Sequence, residues 1–170
     1  NYRLAPEHPH PAALEDALSG YRHLLRQGVT PQRSVVCGDS AGGGLALSLA
    51  LKLRDAGEPL PAGLMLLSPF LDTSLSGDTV RSASARDPML HVGWLKQAVR
   101  WYAPADGQPL LETDLRGLPP MLIQVGDAPG PPQGRRRGLY HTGIKVGDNL
   151  DELRAAKREL EQAGVTIDGM

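Results

Sequence analysis

Cysteine is almost missing from this sequence. Cys37 is its only one, so no intrachain disulfide can form and a reducing compartment, the cytoplasm, is the expected setting. Net charge is also nearly missing, at −1 near neutral pH, which argues against a nucleic-acid surface as the main partner. The dense basic run of Arg135, Arg136 and Arg137 reads as a solvated loop. No apolar run approaches the length needed to span a bilayer. No signal-peptide pattern opens the chain, which begins at Asn1 and so implies a processed start or a piece of something longer. What is present suits a folded domain. Hydrophobic residues make up 41% and charged residues 22% of 170 residues, enough for one core and part of a second.

The apolar pattern alternates between two periods. Leu14, Ala17, Leu18, Tyr21, Leu24 and Leu25 recur at three- and four-residue spacing and predict a helix closed by Gly28. Before it, "NYRL" reads as a strand end and "HPHP" as a loop, because each proline disfavours helix at the residue before it. A short buried strand is predicted over 34–37, then a helix over 42–56 that is apolar on more than one face. "AGLMLLSPF" and "PPMLIQVGD" read as further buried strands, near 63–67 and 120–125, with a helix over 92–102 between them. Strands alternating with helices predict an α/β fold with a mostly parallel sheet and helices on both faces. The "APGPPQGRRRG" stretch breaks this pattern and reads as a junction over 128–138.

Chemistry concentrates in "VVCGDSAGGG", residues 35–44. A serine hydroxyl is a poor nucleophile unless it is exposed and has a base beside it. A sharp strand-to-helix turn supplies the exposure, and it needs small residues two before and two after the serine. Gly38 and Gly42 flank Ser40 in that way, with Asp39 completing the turn. The backbone N–H of Ala41 would then face a developing oxyanion. Two rivals share this pattern: a glycine-rich turn of some other α/β protein and a phosphate-binding loop. The stretch has neither the G-x-x-x-x-G-K-[ST] nor the G-x-G-x-x-G spacing that phosphate loops use.

Together, "YRLAPEHPHPAALEDA", "GDSAGGGLALSLAL", "LLSPFLD", "RDPML" and "LRGLPPMLIQVGD" resemble the hormone-sensitive-lipase group of α/β-hydrolases, bacterial carboxylesterases of short and medium acyl esters. The resemblance runs from Asn1 to about Asp127. It implies that Ser40 is the nucleophile, that Ala41 N–H is one oxyanion donor, and that no cofactor is needed. A small-molecule ester would be the partner; oligomeric state is left open. The family's His-Gly-Gly-Gly oxyanion loop has no counterpart in the sequence. At the family's acid position stands Pro129, with Asp127 two residues earlier. No segment matches the one that carries the family's histidine. His8, His10, His23 and His91 read as surface or packing residues.

A second resemblance begins where the first stops. "GLYHTGIKVGDNLDELRAAKRELEQAGVTIDGM" is similar to the start of a vicinal-oxygen-chelate module, the fold of glyoxalases and extradiol dioxygenases. By that resemblance His141 occupies a metal-ligand position. One ligand does not hold a metal ion, since zinc or iron needs at least three, so no metal site is expected. The organisation expected is a hydrolase core fragment over 1–127, a junction over 128–138 and a partial second module over 139–170. A fusion, a shifted reading frame or a replaced tail would each produce such a join. The expected function is that of a serine carboxylesterase, in an incomplete and weakly active form. A metal-dependent glyoxalase or dioxygenase and a non-catalytic binding module are the alternatives.

Overall fold

Helix formation begins where the prolines stop. In the computed structural model, which describes residues 1–77, 80, 91–103, 110 and 113–125, α1 spans Ala12–Arg26 directly after Pro11. Gly28 follows it with φ +90°, a backbone region that glycine enters without steric cost. Strand β1 is Val35–Asp39, α2 is Ala41–Asp55, β2 is Gly63–Leu67, α3 is Val92–Tyr102 and β3 is Met121–Gln124. The bounds of β1, α2, β2, α3 and β3 lie within two residues of the sequence expectation, and α1 ends two residues before Gly28. The fold is α/β with a parallel sheet.

The sheet runs in the order β1-β2-β3. Val35 sits opposite Gly63 and Asp39 opposite Leu67, while Leu64 pairs with Met121 and Leu67 with Gln124. Side chains alternate across each strand, so Val36, Leu64, Leu66, Met121 and Ile123 share one face. Ala46, Leu47, Ala50 and Leu51 of α2 pack on that face. Leu49 and Leu53 turn instead toward Leu18 and Tyr21 of α1, with Val36 reaching both groups. This is why α2 is apolar on nearly every side: it is sandwiched between sheet and helix. Leu53, Leu64 and Leu66 are, among the described residues, the largest side chains fully removed from water.

Two local expectations are corrected. Leu24 does not join the buried face of α1 but is 51% exposed. At about 100° per residue it sits roughly 90° from the stripe formed by Leu14, Leu18, Tyr21 and Leu25. Residues 1–4 form no strand. Arg3 instead spends its backbone N–H and its guanidinium on Asp16 of α1, at 2.8–3.0 Å, with a further contact to Glu15. The expectations placed on Asp127, Pro129, the 128–138 junction, the 139–170 module and His141 fall outside the described residues.

The Arg3 clamp carries a pH dependence. Hydrogen bonding from Arg3 holds the Asp16 carboxyl at about 2, below its ordinary 3.8. A depressed carboxylate stabilises the fold above its unfolded value, and that stabilisation is lost as pH falls through the folded value. The N-terminal segment is therefore expected to stay docked above about pH 4 and to release between there and about pH 2. Amide shifts of Tyr2, Arg3 and Leu4 would report this. Added salt should loosen the same contact at neutral pH, because both partners are open to solvent.

Candidate active site

The turn between β1 and α2 contains the feature that the sequence pointed to. Ser40 follows Asp39 directly and precedes the first residue of α2, with φ 53° and ψ −117°. A non-glycine residue there carries about 1–3 kcal/mol of strain, which persists only where the surroundings enforce it. The enforcing contacts are backbone hydrogen bonds. Ser40 N–H donates to Leu67 C=O at 2.8 Å, and Ser40 C=O accepts from Gly43 N–H at 3.0 Å and from Phe70 N–H at 2.9 Å. The side chain is left outside this network. Ser40 is exposed and, among the described residues, its hydroxyl makes no hydrogen bond.

Gly38 is required by space. A Cβ there would lie 2.1 Å from Gly42 O and 2.6 Å from Gly43 N, well inside contact distance with backbone atoms. Gly42 is different, and the steric reason expected for it does not hold among the described residues. A Cβ at Gly42 meets no heavy atom within 4 Å, because the residue borders an apolar groove lined by Tyr2, Val36, Cys37 and Leu45. The crowded glycines are the next two. A Cβ at Gly43 would sit 2.7 Å from Pro69 Cβ, and one at Gly44 would sit 2.4 Å from Phe70 O. Sequence reasoning missed this pair. The available signal was the run of glycines itself, since each costs a helix about 1 kcal/mol relative to alanine and so needs a packing reason.

Ala41 opens α2, and among the described residues none accepts its N–H. The positive end of the helix dipole adds to the attraction for an anion at this point. Asp39 closes β1 beside Leu67 and is exposed. An exposed hydroxyl and an N–H donor without an acceptor among the described residues therefore stand next to each other above the C-terminal edge of the sheet, an arrangement that acyl transfer can use.

A proton acceptor is not found beside Ser40 among the described residues. His8, His10, His23 and His91 are all exposed. His10 packs edge-on against Tyr102, with ring centroids 5.5 Å apart and Nδ1 3.3 Å from the phenol oxygen. Asp72 is engaged elsewhere. Burial pushes its carboxyl up, but hydrogen bonds from Ser74 and Ser76 outweigh this and hold it below the usual carboxylate range. Among the described residues no cluster of histidine, cysteine and carboxylate side chains could hold a metal ion. No helix among them is long and apolar enough to cross a membrane.

Comparison with known proteins adds four matches. Residues 1–129 match the family model described as the alpha/beta hydrolase fold. An esterase of Acinetobacter venetianus is 41% identical over 132 residues, covering 74% of this chain and 44% of that protein. An acetyl-hydrolase of Streptomyces hygroscopicus is 46% identical over 131 residues, covering 74% and 44%. Among solved structures, an esterase of the bacterial hormone-sensitive lipase family is 37% identical with a TM-score of 0.71, covering 99% of this chain and 52% of that one. The chain thus spans about half the length of the relatives it matches.

Proposed function

The chain belongs to the alpha/beta hydrolase fold family, and from that premise we propose that it carries the nucleophile turn of a serine carboxylesterase acting on short and medium acyl esters. The observation that carries this reading is Ser40: an exposed, strained serine at a strand-to-helix turn, next to the unclaimed Ala41 N–H. Relatives named esterase and acetyl-hydrolase support the reaction class.

In the reaction, Ser40 Oγ bonds to the ester carbonyl carbon while its proton passes to a base. Charge collects on the carbonyl oxygen, where Ala41 N–H donates a hydrogen bond. The carbonyl reforms, the alcohol leaves, and water then releases the acyl group from Ser40 by the same steps. Acid and base are the parts that remain unassigned: no histidine among the described residues bonds Ser40, and Asp127 and Pro129 lie beyond them. The 170-residue chain is accordingly a weakly active form.

A fluorophosphonate tests the nucleophile without requiring turnover. Incubation at about pH 9, where hydroxide can take the serine proton, is expected to give one adduct per chain. Peptide mapping should place it on Ser40, and the Ser40→Ala variant should remain unmodified. Equal labelling of the variant, or adducts spread over Ser34, Ser48 and Ser68, would defeat the proposal.

A further inference from the structure

We propose that Leu67, Ser68, Pro69 and Phe70 form a brace that holds Ser40 in its strained conformation, with Gly43 and Gly44 as the positioning residues that let the brace close. Its catalytic purpose rests on the reading of Ser40 as nucleophile; its existence rests on geometry alone.

Both sides of Ser40 are gripped by this one segment. Leu67 C=O receives Ser40 N–H at 2.8 Å, and Phe70 N–H reaches Ser40 C=O at 2.9 Å. Between those two contacts the segment has to reverse, and Ser68 does so with φ +41°. Ser68 N–H is tied in turn to Gln124 C=O at the end of β3, at 2.6 Å. Ser40 is thereby linked through four residues to the strand after which the family's acid is expected. The segment can approach α2 this closely only because Gly43 and Gly44 present no side chain. The distances of 2.7 Å to Pro69 Cβ and 2.4 Å to Phe70 O leave no room for a methyl group. At Gly44 the atom in the way is a backbone oxygen, which cannot swing aside as a flexible side chain would.

Helix propensity and the brace make opposite forecasts for Gly44→Ala. Propensity alone favours the alanine. A Cβ that pushes Phe70 outward instead breaks the Phe70 N–H contact and lets Ser40 relax toward an ordinary conformation.

A double-mutant cycle reads this release. In the otherwise unaltered chain, Ser40→Gly should raise the folded-to-unfolded ratio roughly fivefold, the relief of strain less the extra freedom of glycine when unfolded. In the Gly44→Ala background the same change should alter the ratio less than about twofold, because the strain is already gone. An equal gain in both backgrounds, or no gain in either, would overturn the brace. Should Gly44→Ala fail to fold, amide exchange in the unaltered chain decides. The Phe70 N–H should exchange at least about a hundredfold more slowly than an unbonded loop amide, and free exchange would overturn the proposal. Neither readout involves catalysis. Coupling without phosphonate labelling would remove the esterase reading and leave the brace standing; labelling without coupling would do the reverse.

Discussion

In steady state the 170-residue chain is expected to hydrolyse p-nitrophenyl butyrate about 10⁶-fold more slowly than a complete Ser-His-Asp esterase, the cost of a serine that has no positioned base. The same assay on Ser40→Ala should give a rate within about threefold of the unaltered chain. The reason is that the members of such a triad act as one unit. A serine without a base contributes little to sustained turnover, and what remains comes from oxyanion stabilisation and binding. Ser40 has its exposure and one adjacent N–H donor, but among the described residues no histidine bonds it. A second oxyanion donor is worth about 10²–10³ in turnover, and the sequence holds no His-Gly-Gly-Gly segment to supply one. Robust turnover that vanished in Ser40→Ala would contradict this. It would show that a base reaches Ser40 from residues beyond those described.

The largest effect on folding is expected from Gly38→Ala. The added Cβ would stand 2.1 Å from Gly42 O and 2.3 Å from Gly42 C. To clear it, the first turn of α2 would have to move away from β1, and that turn also carries the Ser40 C=O contacts. A loss of about 3–5 kcal/mol is expected, at the upper end for a single substitution. This is a large part of the roughly 5–15 kcal/mol that holds a domain folded. Gly42→Ala is the matched control. Its Cβ meets open space, so the ordinary preference of a helix for alanine should stabilise the chain by up to about 1 kcal/mol. Urea midpoints compare the two directly. If Gly38→Ala left the midpoint within the range of the control, the turn geometry described above would be wrong.

The elements were legible because their signals are local. The apolar run over 63–67 becomes β2 with those same bounds, and Val92–Tyr102 becomes α3 with no shift at either end. Ser40 was legible for the same reason: a strand, a glycine, a serine and an apolar helix define a turn within a few residues. What escaped was set by contacts distant in sequence. The need for Gly43 and Gly44 depends on where Pro69 and Phe70 travel after leaving β2. The docking of residues 1–4 through Arg3 depends on Asp16, thirteen residues on. Gly42 shows the converse, since it was assigned a steric reason that its open surroundings among the described residues do not supply. The acid and base stayed illegible because their expected positions hold Pro129 and no matching histidine, so no local pattern marked replacements.

The acyl-enzyme itself tests the central claim most directly. Oγ attack on p-nitrophenyl butyrate, with hydroxide taking the Ser40 proton, expels p-nitrophenolate, a leaving group stable enough to need no acid. The butyryl-serine left behind is an ordinary alkyl ester, which hydroxide attacks far more slowly than the p-nitrophenyl ester, so its release by water waits on a positioned base. With no base bonded to Ser40 among the described residues, the butyryl group is expected to build up on the chain over hours at mildly alkaline pH. Intact-mass measurement should show a single butyryl adduct, fragmentation should place it on Ser40, and Ser40→Ala should not acquire it. A chain that stays unmodified, or one acylated to the same extent on its lysines in both forms, would contradict the assignment of Ser40 as the nucleophile.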